Sequence, residues 1–481
     1  MELLLLLLTS ILFPIFVGIF QLFGKENNKK ICLFALIINL GCILACCFVE
    51  GSFTLIQMNQ DLTVEFMFDG LGKYFAVLVA FMWLVVGYYS FEYMEHEEDH
   101  QLFYGFYFLT LGAFNAICFS ANYMTLYCFF EFMTLLSMPL VLHSKKLEAI
   151  QAAKKYLMYS VFGASFGLAG FFFLNHYGVS TSFTALGVLD RTLVSGNETI
   201  LLIVCLLAII GFGAKAGMMP LHAWLPIAHP VAPSCASSIL SGVITKAGVL
   251  AIIRVVYYQF GFSFIEGTWV QTVWMSLSLL TVLCGSMLAY KEKNIKKRFA
   301  YSTVSQVSYI LFGLSCGNEI AFMGAMLHVY AHSLIKDVLF MSAGSLIVHG
   351  DCITVDQLKG IGHKMPKTML CFTIASLGLV GIPPFVGFVS KWYLAIGSMN
   401  TNIAVLNWLG PVVLLASALL TAGYLFTITI TAFFEKSDCN AHEAGNRMII
   451  PMVICCILVF VIGCYPKPML DVISLIAKEL F

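Results

Sequence analysis

Several side chains that can take up and release a proton stand in stretches that are otherwise apolar: Glu131, Lys215, Lys246, His328, His332, Lys336 and Lys391. A charge at mid-bilayer depth costs at least ~3 kcal/mol on insertion scales, so each of them needs a reason. Glu131 lies in Tyr127-Cys-Phe-Phe-Glu131-Phe-Met-Thr134, where apolar neighbours favour the neutral acid unless a cation is close. Lys215 lies in Gly211-Phe-Gly-Ala-Lys215-Ala-Gly-Met-Met-Pro220. The small residues admit neighbouring helices, and the proline frees carbonyls that bind water or a cation. Lys246 is flanked by Thr245, Ala247 and Gly248. His328, His332 and Lys336 recur every four residues, so they share one helix face. Imidazole passes a proton between its two nitrogens, and a desolvated lysine can release one, which an arginine does not. Lys391 follows the proline-broken run Gly381-Ile-Pro-Pro384. Two broken helices, each carrying a buried lysine, fit a transporter built from two repeated halves. A metal ion is the competing reading of the two histidines, but no third ligand is evident.

Each group also has a structural reading. A buried carboxyl can simply tie two helices together. Arg254 falls near the outer end of its apolar stretch, where its stem can reach the interface, so Arg254→Ala is expected to do little. Asp337 adjoins Lys336 but points about 100° away, and pairing with a basic group across helices is expected. His222 and His229 flank Trp224 and Pro226 between two apolar stretches, where they either hand protons in or sit at the interface. Glu131 and Lys215 are expected within ion-pair reach or one water apart. Lys246, His328, His332 and Lys391 are expected in one polar line.

These residues need elements to hold them. With 60% hydrophobic and 11% charged residues among 481, the chain is too apolar for a water-soluble surface. About fourteen stretches can span a bilayer, near 2–23, 31–49, 72–91, 102–119, 122–142, 154–176, 199–218, 233–258, 269–290, 299–315, 320–348, 368–398, 405–434 and 449–465. Basic residues collect on one side: Lys25, Lys29 and Lys30; Lys145, Lys146, Lys154 and Lys155; Lys291, Lys293, Lys296, Lys297 and Arg298; then Lys359, Lys364, Lys367, Lys436 and Arg447. The other side holds Lys73, Arg191, Lys467 and Lys478, which places both termini outside. The start lacks the basic region of a cleaved signal and reads as a retained helix. Zero net charge offers nucleic acid no attractive field. The 16 cysteines are scattered through apolar helices without metal spacing, and no dinucleotide, P-loop or haem motif is present. Neither a cofactor nor a metal is therefore expected on this chain.

The run Lys215-Ala-Gly-Met-Met-Pro220-Leu-His222-Ala-Trp224-Leu-Pro226-Ile-Ala-His229-Pro-Val-Ala-Pro233-Ser234 resembles the antiporter-like proton-channel subunits. So do Leu240-Ser-Gly-Val-Ile-Thr-Lys246, Lys297-Arg298-Phe-Ala-Tyr-Ser-Thr-Val-Ser-Gln306, the His328–His332–Lys336 series and Gly381-Ile-Pro-Pro384 through Lys391. These subunits occur in respiratory complex I, Mrp-type Na+/H+ antiporters and membrane-bound hydrogenases. The resemblance covers roughly residues 65 to 430. It implies an all-α polytopic membrane protein of 14 helices, with helices 4–8 and 9–13 as two inverted five-helix repeats and helices 7 and 12 broken. The division that follows is 1–101, 102–260, 261–434 and 435–481. By the same likeness, Glu131 of helix 5 pairs with Lys215 of helix 7, and Lys246 is the central lysine of helix 8. His328 and His332 form the helix-11 relay, and Lys391 is the terminal carrier. Three positions depart from the family pattern: Phe130 where tryptophan is frequent, Ile227 where a polar residue is common, and Asp337 where a small or apolar residue is usual. Only about 16 residues follow residue 465, which resembles the shorter members without a lateral helix.

The function expected is proton translocation by one subunit of a multi-subunit pump in the cell inner membrane, with other membrane subunits as partners. A Na+/H+ antiporter subunit without redox drive and a non-transporting scaffold are the alternatives.

Overall fold

The computed structural model describes residues 2–24, 29–59, 62–435 and 440–481. Lys25 and Lys436, assigned above to the basic side, lie outside these residues. Twelve helices among the described residues are long and apolar enough to cross a membrane. Two of the expected stretches fall short of that measure. Ile295–Ser315 is long enough but carries Lys296, Lys297 and Arg298 and a run of hydroxyl residues. The stretch near 368–398 is divided into Pro366–Val380 and Val386–Met399.

Helix starts follow local chemistry. Asp69, Asn122, Asn294 and Asn318 each accept a hydrogen bond from a backbone N–H three residues on, satisfying a donor that the helix leaves free. Leu147–Tyr177 crosses Glu198–Ala216 at Gly163 and Gly211, where a Cβ on Gly163 would lie 2.5 Å from the Gly211 carbonyl oxygen. Side chains there would force the two helices apart.

Two spans run through the centre. Ser234–Phe260 is enclosed by protein over its whole length. It changes from α to π geometry at Leu240–Ile244 and again at Arg254–Phe260. Glu319–Gly350, hereafter the histidine helix, is buried along most of its 32 residues and packs against seven other helices. The first two helices, Glu2–Phe23 and Lys29–Cys46, lie at the rim with many exposed apolar side chains.

Both expected breaks are present. Glu198–Ala216 stops where Gly217 takes φ +85°, and the chain turns helical again at Leu225–Val231. Pro366–Val380 stops where Gly381 takes φ +91°, and Val386–Met399 follows. The prolines at 220 and 384 therefore lie inside the breaks, while the glycines end the helices.

Two elements are additions to the expected list. An antiparallel hairpin, Ser52–Gln57 with Thr63–Met67, covers one end of the bundle, where Thr, Ile and Val suit extended backbone. Its second strand bonds to the chain entering Tyr123–Leu142 through Met67 N–H to Phe119 O, and Ala121 N–H to Glu65 O. At the C-terminal end, Lys467–Leu480 is an amphipathic helix that buries Ile473, Ile476, Ala477 and Leu480.

Candidate functional site

Lys246 stands two residues after the first π turn, whose Ser241 carbonyl accepts from Thr245 Oγ1 as well as from the lysine. Its Nζ donates to Ser241 O at 3.0 Å and lies 2.5 Å from His332 Nδ1. One turn earlier on the histidine helix, the ring of His328 lies 6.3 Å from that of His332. His328 Nδ1 is 2.9 Å from Ser390 Oγ, and its ring stacks on Tyr309 at 5.5 Å. Lys391, next to Ser390, lies over the same tyrosine ring, 5.1 Å from its centre. Its Nζ donates to Leu379 O at 2.6 Å and Val380 O at 3.0 Å, the carbonyls freed at the second break. Lys246, His332, His328 and Lys391 thus lie in one polar line, the first three buried and Lys391 half-buried with its Nζ turned onto the two carbonyls.

Lys336 forms a side branch. It is fully buried and donates to Ser302 Oγ at 2.6 Å and Phe299 O at 3.2 Å. Ser302 continues to Tyr424 at 2.6 Å.

Glu131 and Lys215 stand apart from this line; they make no direct ion pair among the described residues but lie within electrostatic reach of each other. Lys215 Nζ donates instead to Thr134 Oγ1 at 2.9 Å and Tyr156 OH at 2.5 Å, and lies over the Tyr156 ring at 4.4 Å. Thr134 is one turn from Glu131, so the ammonium has settled one turn along the same helix. Tyr156 also joins Ser137 at 2.6 Å, and its ring packs on Trp224 at 4.9 Å. Trp224 in turn donates to Ala214 O at 2.8 Å, tying the resumed helix to the residue before Lys215.

Two further expectations are corrected. Arg254 does not reach the interface. It is fully buried and binds Asp69 with two parallel hydrogen bonds of 2.6 and 2.7 Å, covered by Phe183 and Tyr258. The partner precedes it by 185 residues and also caps the Gly70–Tyr93 helix. Asp337 does not pair across helices: both carboxyl oxygens are buried without a hydrogen-bond partner among the described residues. His229 is fully buried and stacked on Phe340 at 4.7 Å, while His222 is half-buried.

Nothing in the sequence singles out Tyr156, Thr134, Tyr309 or Ser302 as a partner of these groups. Their only signal is a hydroxyl inside an apolar stretch, which is common in membrane helices and rarely points to one partner.

Residues 120–414 match the family model described as "NADH:quinone oxidoreductase/Mrp antiporter, TM", and residues 56–104 match "NADH-Ubiquinone oxidoreductase (complex I), chain 5 N-terminus". NADH-quinone oxidoreductase subunit N of Desulforudis audaxviator is 32% identical over 375 residues, 77% of this chain and 73% of that protein. A Na(+)/H(+) antiporter subunit of Alkalihalophilus pseudofirmus is 24% identical over 486 residues, 99% of this chain and 97% of that protein. Among solved structures, a chain of the membrane-bound sulfane sulfur reductase, an archaeal respiratory membrane complex, superposes with a TM-score of 0.87 at 21% identity, covering 99% of this chain and 97% of that one. The chain belongs to the family of antiporter-like membrane subunits shared by NADH:quinone oxidoreductases and Mrp antiporters.

Proposed function

We propose that this chain carries protons across the cell inner membrane as one subunit of a larger complex I-like or membrane-bound hydrogenase-like pump, with other membrane subunits as partners. The observation that carries the reading is the 2.5 Å contact of Lys246 Nζ with His332 Nδ1. An ammonium there can give its proton to the ring, and the ring can release one from Nε2. Nε2 of His332 and of His328 are both buried without a protein partner, and a bridging water between the rings would complete the relay. Ser390 leads on to Lys391, whose carbonyl cradle is the exit.

Glu131 and Lys215 act as a switch. With Lys215 on Thr134 and Tyr156 the switch is open, and closing brings the ammonium to Glu131. Two like charges about 8 Å apart at an effective dielectric near 20 repel by roughly 2 kcal/mol, so the position of Lys215 biases loading of Lys246. That bias cannot drive transport, and the drive comes from a reaction or gradient elsewhere in the complex. The matched breaks support two inverted repeats, 102–260 and 261–434, between helices 1–101 and a closing segment 435–481. Both termini are assigned to the outer side.

A second reading, a Na+/H+ antiporter subunit without redox drive, is favoured by the antiporter relative that matches over nearly its full length and by the carbonyl oxygens at Lys391, which suit a hard cation. One experiment tests both. The complex purified with this chain is placed in vesicles, and H+ and Na+ uptake are followed for wild type and Lys391→Ala. Loss of H+ uptake in the variant, independent of Na+, supports the proton reading. A strict Na+ requirement selects the second. Wild-type uptake in Lys391→Ala overturns both.

A further inference from the structure

Asp337 is fully buried, and neither of its carboxyl oxygens has a hydrogen-bond partner among the described residues. It faces away from the relay's histidines, toward the π turn Leu240–Ile244. A Cβ on Gly242 would lie 1.9 Å from Asp337 Oδ1, so the glycine makes the room the carboxyl occupies. Ser333 Oγ donates to Gly242 O at 2.5 Å and fixes the histidine helix to this turn. Lys246 follows Gly242 by about one helical turn, and its Nζ sits on the carbonyl of Ser241, the residue before Gly242, so the ammonium and the carboxyl meet the same turn. Tyr107 of the His100–Cys118 helix and Cys455 of the Asn446–Cys464 helix also lie within its electrostatic reach, and Lys336 precedes it on its own helix.

A packing role does not account for this residue. A leucine or methionine would fill a buried site without an unsatisfied polar group. A fixed ion pair does not account for it either, because Lys246 spends its short contact on His332. Charge balance offers a third role. Ammonium with carboxylate and amine with carboxylic acid carry the same net charge, so a proton can pass between the two without adding charge to the interior. When the Lys246 side chain turns from His332 to the carboxyl, the N–H bond of Lys246 breaks, an O–H bond forms on Asp337, and the reverse step restores both.

We propose that Asp337 is a second proton acceptor for Lys246, which holds the proton on the side of Lys246 away from His332 before it enters the histidine line. This rests on the relay reading above. It makes Gly242 and Asp337 a matched pair at this chain's π turn.

The test uses the whole complex in vesicles, with proton uptake measured across a range of pH. Asp337→Asn keeps the shape and cannot bind the proton. The expected result is uptake slowed about tenfold or more, with one titrating step missing from the pH profile. Infrared difference spectra should also lose a protonated-carboxyl band that the wild type shows. Asp337→Glu should restore part of the rate. If Asn does not assemble, Asp337→Ser is read in the same way. Wild-type rate and profile in an assembled variant, with Lys391→Ala inactive, overturns this proposal and leaves the relay standing. Wild-type uptake in Lys391→Ala as well would remove the relay itself.

Discussion

Tyr156 and Arg254 show how much a single partner decides. The Tyr156 hydroxyl is the short contact of Lys215, and without it the ammonium keeps Thr134 and the ring face. A hydrogen bond to a charged group contributes about 1.5–3 kcal/mol. Tyr156→Phe should therefore assemble normally and change the rate of proton uptake about tenfold, measured in vesicles beside a native gel. Arg254 behaves oppositely. Removing it empties a fully buried site and leaves the part-buried carboxylate of Asp69 without its cation, a loss below the roughly 3–5 kcal/mol of fully buried pairs but still of the order of kcal/mol. Arg254→Ala should lower the melting temperature of the complex clearly or prevent its assembly, and Arg254→Met with Asp69→Leu should recover much of the loss. An unchanged melt for the single variant would mean that the pair is not made.

At the scale of elements, the two glycine-ended breaks separate backbone strain from site chemistry. A side chain at Gly217 or Gly381 must adopt positive φ, at a cost of about 1–2 kcal/mol. At Gly381 the added Cβ also lies 3.0 Å from Lys391 Cδ, pressing on the stem that holds Nζ over its carbonyls. Gly381→Ala should therefore lose uptake beyond what its change in melting predicts. The control is Gly41→Ala inside Lys29–Cys46, where nothing lies within 4 Å of the new Cβ and helix propensity favours alanine by about 1 kcal/mol. Its uptake should equal wild type. Surface ties give a different outcome. Lys359 is held above the usual lysine range by its hydrogen bond and ion pair with Glu435 at 3.0 Å, so that contribution is present at neutral pH and fades as pH rises through the lysine range. Both partners are well exposed, and Lys359→Ala should leave the melt unchanged.

Over the whole molecule, the legible and illegible parts divide by range. Apolar length finds the spans, and Gly and Pro find both breaks, because those signals are local. The lysines stand out because charge is scarce in such stretches. Their partners do not: Asp69 is 185 residues from Arg254, and Tyr156 is 59 from Lys215. Snorkelling is a sound inference for Arg254 only while Asp69 goes unseen. The hairpin escapes a reading by apolar length because residues 52–67 lie between two much stronger apolar signals. The π turns have no distinct composition, yet they set where Lys246 and Gly242 point. Orientation can be checked through Cys464, which is exposed at the end of Asn446–Cys464. With both termini outside, an impermeant maleimide should label it on intact cells, and Cys464→Ser should abolish that label.

The carbonyl cradle of Lys391 has an electrical consequence. Its Nζ donates both hydrogen bonds to neutral backbone oxygens, and no carboxylate lies within ion-pair distance among the described residues. Each proton gained or lost there changes the charge of the membrane interior by one. Moving one charge through the full membrane potential is worth about 2.3 kcal/mol per 100 mV, so a group near mid-depth feels about 1 kcal/mol. That is roughly a fivefold change in occupancy. Membrane voltage should then shift how often Lys391 is loaded, and the vesicles' proton uptake should bend with voltage even at equal pH on both sides.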